Sequence, residues 1–169
     1  MKKTVLRFGL YGAITICILF ILSMSLGGEL DYTTQEIIGY ASMVVSLCFV
    51  YLGIKHFRDK ENSGVVSFGQ ALLIGILISL FASLAFGILD LIYIKYINPD
   101  FTAEYYSRTM ADLEASLPVA EFELKRAELE SQKALFMNPW FSFLLMSMTV
   151  FVIGFIISLI SALLLQRKN

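Results

Sequence analysis

The sequence predicts an all-α, polytopic membrane protein with four transmembrane helices and an outward-facing amphipathic helical hairpin between helices 3 and 4. Three observations support this fold class: the composition, four long apolar runs and one extended polar segment. Of the 169 residues, 57% are hydrophobic and only 16% are charged, and the mean hydropathy is +0.74. A soluble domain is rarely so apolar, whereas several spans within a single domain fit this length.

The first two spans are predicted at residues 8–27 and 36–55. A cationic segment precedes the first, as in a secretory signal. The apolar core of a signal is only about 7 to 15 residues long, however, so we interpret this longer run as a membrane helix. Gly27 and Gly28 end it. A short acidic turn follows, and the second span ends in a cationic cluster that begins at Lys55.

The third span is predicted at residues 67–96, and we expect it to lie at the centre of the bundle. No charged residue interrupts it from Phe68 to Leu89. Ser67, with Gln70 three residues later, has the spacing of a capping box at the first turn. Small residues recur every four positions along the span, on one face where another helix can approach closely. They are Gly75, Ser79, Ser83 and Gly87.

The segment 98–138 is polar, but apolar residues recur in it at helical spacing. One set recurs every four residues from Phe101 through Tyr105 to Leu117, and a second set continues to Phe136. Pro118 separates the two sets, which predicts a hairpin of two amphipathic helices in which Tyr105 of the first faces the second. The pair Asn138-Pro139 then begins the fourth span, residues 139–165.

The distribution of charge predicts the orientation of the spans. Cations cluster at both ends of the chain and in the loop after the second span, whereas segment 98–138 is rich in carboxylates. By the positive-inside rule the cationic segments face the cytoplasm, so we expect both termini inside and the hairpin outside. The net charge of −1 excludes a strongly basic nucleic-acid binder.

The loop between the second and third spans shows a family resemblance. From residue 53 to residue 70 it reads GIKHFRDKENSGVVSFGQ. This stretch, with nearly the whole chain around it, resembles an uncharacterised family of small four-helix bacterial membrane proteins that is classed as a domain of unknown function. The resemblance implies a multi-pass protein of the bacterial inner membrane and supplies no catalytic residue. Its residues are Lys55, Phe57, Arg58, Asp59, Gly64, Ser67, Phe68, Gly69 and Gln70.

Asp90 interrupts the third span near its end. A carboxylate inside the membrane is a candidate for an ion or proton pathway. Counting from Ser67 at about 1.5 Å per residue places Asp90 roughly 35 Å along the helix, near the outer interface. We therefore expect a hydrated interfacial side chain and retain a polar intramembrane site as the alternative.

The histidine and the cysteines have simple interpretations. His56 is the single histidine, and it stands among cations without the partners that a metal site needs. Cys17 and Cys48 lie within the first two spans, where we expect small buried hydrophobic residues rather than a disulfide or a ligand pair. We predict no cofactor and no metal.

Two features are candidates for contacts with helices or partners. The small face of the third span has a counterpart in Gly154, Ser158 and Ala162 of the fourth, and we favour packing between these helices over homodimerisation. The cationic loop is our first candidate for binding anionic lipid or a cytoplasmic partner. Its residues are Lys55, Arg58, Asp59, Lys60 and Gln70.

The sequence favours a structural, accessory or interaction protein, because the hairpin and the cationic loop are two protein-like surfaces. A subunit of a transporter or channel is the alternative, although the spans lack the paired charges and internal repeat of many substrate paths. An enzyme is not expected, because no nucleophile, histidine and carboxylate lie at one depth. The expected partners are the lipid bilayer and a second copy or another membrane protein, and not nucleic acid. The sequence identifies no substrate and no pathway.

Overall fold

The computed structural model describes residues 1–26 and 32–167, and within these ranges every regular element is helical. This confirms the all-α prediction. The predicted break at Gly27 and Gly28 lies outside the described residues. The helices are α1 (Lys2–Leu26), α2 (Tyr32–His56), α3 (Phe68–Ile92), α4 (Phe101–Ser116), α5 (Val119–Phe136) and α6 (Pro139–Leu165).

Four helical segments in the described ranges are long and apolar enough to cross a membrane, which is the composition of a multi-pass membrane protein. They are Lys2–Met24, Thr33–Glu61, Phe68–Ile97 and Pro139–Leu165. Each overlaps one predicted span. The helices continue past the apolar runs at their charged ends, because the backbone hydrogen bonds of a helix do not require apolar side chains. Short π-helical turns, Phe57–Glu61 and Tyr93–Ile97, extend α2 and α3 in this way.

The chain divides into two compact units, Met1–Phe86 with Met146–Asn169, and Gly87–Leu145. Helices α3 and α6 contribute residues to both. A single membrane domain covering residues 1–169 stays a prediction.

The first unit has a core of branched apolar side chains from α1, α2, α3 and α6. Ile16, Leu47, Ile78 and Val150 are among its most completely buried members. Small residues lie between these side chains and set how closely the helices approach. A Cβ atom built at Gly12 would lie 3.2 Å from the backbone oxygen of Ser46, for example. Lipid tails are as apolar as leucine, so this close packing holds the helices together.

The second unit contains α4 and α5, neither of which has a buried residue. The Nζ atom of Lys133 lies 4.9 Å from the centroid of the Tyr106 ring, so the two helices contact each other. The sequence assigned Tyr105 to the face shared with α5. Tyr105 is exposed instead and stacks on Phe101, with ring centroids 6.3 Å apart. The outward-facing hairpin stays a prediction.

Candidate functional site

Small residues of α3 and α6 lie directly against each other in the first unit. A Cβ atom at Gly75 would lie 2.7 Å from Ser158 Cβ, and one at Gly154 would lie 2.6 Å from Ser79 Cβ. Real Cβ atoms do not approach so closely, so neither glycine position has room for a larger residue. We call these four residues the small-residue contact. Within one chain, the structure brings together members of the two small faces that the sequence identified.

The hydroxyl groups in the small-residue contact are satisfied within their own helices. Ser79 Oγ donates to the carbonyl oxygen of Gly75 at 2.9 Å, and Ser158 Oγ donates to that of Gly154 at 2.7 Å. The two Oγ atoms are 3.4 Å apart. The contact therefore depends on close packing more than on a hydrogen bond between helices.

The other predicted members of the small faces are also buried. Ser83 donates to the Leu80 carbonyl at 3.0 Å, and Ala162 is fully buried in the first unit. Gly87 is buried in the second unit.

The loop before α3 contains the predicted capping box. The Gln70 backbone N–H donates to Ser67 Oγ at 3.3 Å, and the Ser67 N–H donates to Gln70 Oε1 at 3.4 Å. These bonds confirm the cap and occupy the side chain of Gln70, which was a candidate for partner binding. The preceding turn has Gly64 at φ 83°, in the left-handed region that favours glycine.

The same loop contacts both described ends of the chain in the first unit. Val66 and Arg167 exchange two backbone hydrogen bonds of 3.1 and 2.9 Å. Arg58 Nη1 donates to the Leu165 carbonyl at 3.4 Å, and the Met1 nitrogen lies 2.7 Å from Glu61 Oε2. We call this cluster the loop junction. It brings together the three cationic segments that the sequence assigned to one side of the membrane.

The charged residues of the loop junction fall into paired and unpaired groups. Arg58 Nε donates to Asp59 Oδ1 at 2.6 Å. Lys55 and Lys60 are exposed, and neither has an ion pair within the residues that the structure describes. His56 Nε2 lies 3.9 Å from Glu61 Oε1. The unpaired lysines leave positive charge available at this surface.

Asp90 is buried in the second unit, with 6% of its surface exposed. Its Oδ2 atom accepts a hydrogen bond from Ser142 Oγ at 2.8 Å. The expected exposed, hydrated side chain is therefore wrong, because Ser142 of α6 lies against Asp90. The position of Asp90 near the outer interface stays a prediction. Sequence reasoning missed Ser142. The sequence feature that could have identified it is a hydroxyl residue one turn into the fourth span, opposite a carboxylate near the end of the third.

The cysteines differ from each other in exposure. Cys17 is partly buried and Cys48 is exposed, and both are free. The expectation of a buried Cys48 is thus wrong, because its side chain lies on the outer face of α2, where its Sγ atom is 3.5 Å from the Val44 carbonyl. In the described ranges, no three side chains of the metal-binding types form a cluster.

A groove of about 520 Å³ lies between α4 and α5 in the second unit. Tyr106, Phe122 and Arg126 are among the residues that line it. A hydrogen bond to Glu130 raises the pKa of the Arg126 guanidinium. The Tyr106 hydroxyl is buried and has no hydrogen-bond partner among the residues that the structure describes. The charges along the groove have both signs, so it does not select a ligand of one charge.

Comparison with known families gives one finding on identity. The family described as "Protein of unknown function (DUF4199)" matches residues 7–167. The chain therefore belongs to this family, which confirms the resemblance seen in the sequence. No curated protein and no solved structure matches the chain. The family has no assigned activity, and the bacterial origin stays a prediction.

Proposed function

We propose that this member of the DUF4199 family is a structural, accessory or interaction protein of the bacterial inner membrane. In this proposal it crosses the membrane four times, with both termini in the cytoplasm and with α4 and α5 outside as a hairpin. Its partner is a second copy of the chain or another membrane protein. The role requires no catalytic step and no cofactor.

The main support for this proposal is the surface of α4 and α5. These helices are 16 and 18 residues long and bury no residue. Among their charged residues stand large apolar ones, with Val119 79% exposed and Leu124 74% exposed. Exposed apolar side chains within a charged helical surface favour contact with another protein.

The orientation is supported by the loop junction. It gathers the cationic loop and both ends of the described chain at one end of the first unit. Cations flank the cytoplasmic ends of membrane helices, which supports a cytoplasmic location for this end. The segment between α3 and α6 then follows an odd number of crossings and lies outside.

Co-purification in mild detergent tests the proposal. We would compare the wild type with Val119→Ser/Leu124→Ser after crosslinking in cells. The matched control, Ala103→Ser/Ala115→Ser, changes exposed residues of α4 without removing large apolar side chains. We expect the same crosslinked partner, or crosslinked dimer, with wild type and control and a strong loss with the test variant. An identical yield from all three proteins would contradict the proposal.

A subunit of a transporter or channel is the second candidate, and the burial of Asp90 favours it. A carboxylate buried in a membrane span is by default a candidate for an ion or proton pathway, and Asp90 is buried and accepts a hydrogen bond from Ser142. The pure protein in liposomes would then carry an ion flux that Asp90→Asn abolishes. Flux that is equal in the two proteins, or absent from both, would argue against this candidate.

A further inference from the structure

We propose that Arg7 and Tyr11 of α1 bind the headgroup of an anionic phospholipid, whose acyl chain lies along the exposed apolar face of the same helix. This site is separate from the partner surface of the proposed function. It also does not depend on which side of the membrane the N-terminal end of α1 occupies.

The guanidinium of Arg7 is held in place but keeps free donors. Its Nε donates to the Tyr11 hydroxyl at 3.0 Å, and its Cζ lies 5.7 Å from the centroid of the Tyr11 ring. Arg7 is exposed, and no carboxylate among the described residues pairs with it. The two terminal nitrogens therefore remain available, and their planar fork matches the oxygens of a phosphate group.

Tyr11 is itself fixed by aromatic neighbours. Its ring centroid lies 5.8 Å from that of Phe8 in α1 and 5.8 Å from that of Phe49 in α2. These contacts limit the positions that the hydroxyl can take, so the guanidinium is oriented before any ligand arrives. A preorganised donor loses less entropy on binding than a freely rotating lysine does.

The face of α1 below Arg7 matches an acyl chain. Lys3 lies one turn above Arg7, and apolar residues follow on the same face at spacings of three and four. These residues are each between 45% and 54% exposed: Leu10, Ile14, Ile18 and Ile21. At about 1.5 Å per residue, Ile18 lies roughly 16 Å from Arg7, close to half of the roughly 30 Å hydrocarbon core.

This arrangement favours a phospholipid over free phosphate and over general attraction to an anionic surface. Free phosphate would use the cations and not the apolar face. General attraction depends only on the number of charges near the membrane, about 1 kcal/mol for each. A site built on Arg7 and Tyr11 also depends on geometry, so it is sensitive to changes that conserve charge.

Native mass spectrometry of the full chain in detergent tests the proposal. Phosphatidylglycerol and phosphatidylcholine would be titrated in parallel, with Arg7→Lys, Tyr11→Phe and Lys2→Ala as variants. We expect the first phosphatidylglycerol to bind about tenfold more tightly than phosphatidylcholine. Arg7→Lys and Tyr11→Phe should each reduce that preference about three- to tenfold. Lys2→Ala, the matched control, removes an exposed cation on a different face of α1 from Arg7 and should leave it within about twofold.

Three results would overturn the proposal. If Arg7→Lys and Tyr11→Phe bind phosphatidylglycerol as the wild type does, the geometry is irrelevant. If Lys2→Ala loses as much affinity as Arg7→Lys, general attraction explains the binding. If millimolar inorganic phosphate displaces the lipid completely, the occupant is a phosphate ion. Circular dichroism of each variant checks the fold, and Tyr11→Phe keeps the test decisive because it removes a single oxygen. None of these outcomes bears on the partner surface of α4 and α5.

Discussion

A methyl group added at Gly154 should lower the free energy of unfolding by about 1 to 3 kcal/mol. The new Cβ atom would lie 2.6 Å from both Cβ and Oγ of Ser79 and 3.1 Å from Leu47 Cδ2. Carbon atoms in favourable contact are about 3.5 to 4.0 Å apart, so α3 and α6 would have to separate by roughly 1 Å. No rotamer of Ser79 relieves this clash, because the backbone determines the position of its Cβ atom.

The expected change in stability for Gly154→Ala is opposite in sign to the change that helix propensity alone predicts. Alanine is favoured over glycine in a helix by roughly 1 kcal/mol, so the packing cost has to exceed that gain. Gly39→Ala in α2 is the matched control, because a Cβ atom there meets nothing within 4 Å. It should be neutral or stabilising. The difference between the two alanine variants isolates the cost of overpacking the small-residue contact.

A double-mutant cycle assigns that cost to Ser79. Ser79→Gly removes both atoms that the new methyl group would meet at 2.6 Å. Gly154→Ala should therefore be less damaging in the Ser79→Gly background, with a coupling energy of at least about 0.5 kcal/mol. Unfolding by dodecyl sulfate in mixed micelles, followed by circular dichroism, measures the four proteins. Light scattering during size-exclusion chromatography reports their oligomeric state.

Two outcomes would refute this reasoning. Equal stability of Gly154→Ala and Gly39→Ala would show that α3 and α6 do not approach closely at the small-residue contact. A wild-type dimer that Gly154→Ala dissociates, with no change in the free energy of unfolding, would show that the small faces pair between two chains. Homodimerisation, the alternative that the sequence left open, would then replace packing within one chain.

The other predictions concern the cap, the orientation and the segment between α3 and α6. Ser67→Ala should lower the free energy of unfolding by about 1 kcal/mol through loss of the cap at α3, and an unchanged unfolding midpoint would contradict the cap. In a background without native cysteines, an impermeant thiol reagent on intact cells should label Gln132→Cys and not Lys60→Cys; the reverse pattern would invert the orientation. Hydrogen exchange in nanodiscs should be slower in α4 and α5 than in a free peptide of residues 98–138, and equally fast exchange would indicate a loose segment.

Features that depend on local sequence could be predicted. The spans follow from the length and composition of apolar runs, and the described structure has a candidate span at each predicted position. The cap at Ser67 depends on two residues three positions apart, so its hydrogen bonds could be anticipated. The small residues of α3 and α6 were also recognisable, since their spacing alone places them on one face.

Features that depend on the rotation of one helix against another could not be predicted from the sequence. Tyr105 and Tyr106 are adjacent in the sequence, and the contact with Lys133 identifies Tyr106 as the residue on the shared face. Cys48 was expected to be buried and is exposed. Both outcomes require the direction in which a neighbouring helix lies, which a pattern of apolar residues in lipid does not encode.

The sequence by itself therefore determined the membrane class, the spans and the residues that can allow close approach, because each of these follows from composition and helical spacing. Only the tertiary structure decided which small residues meet, that Ser142 of α6 contacts Asp90, and that the cationic loop contacts both described ends of the chain. The physical reason is the solvent. Lipid tails do not distinguish one apolar face of a helix from another, so the packed face is selected by the fit of individual atoms and by hydrogen bonds between segments distant in sequence.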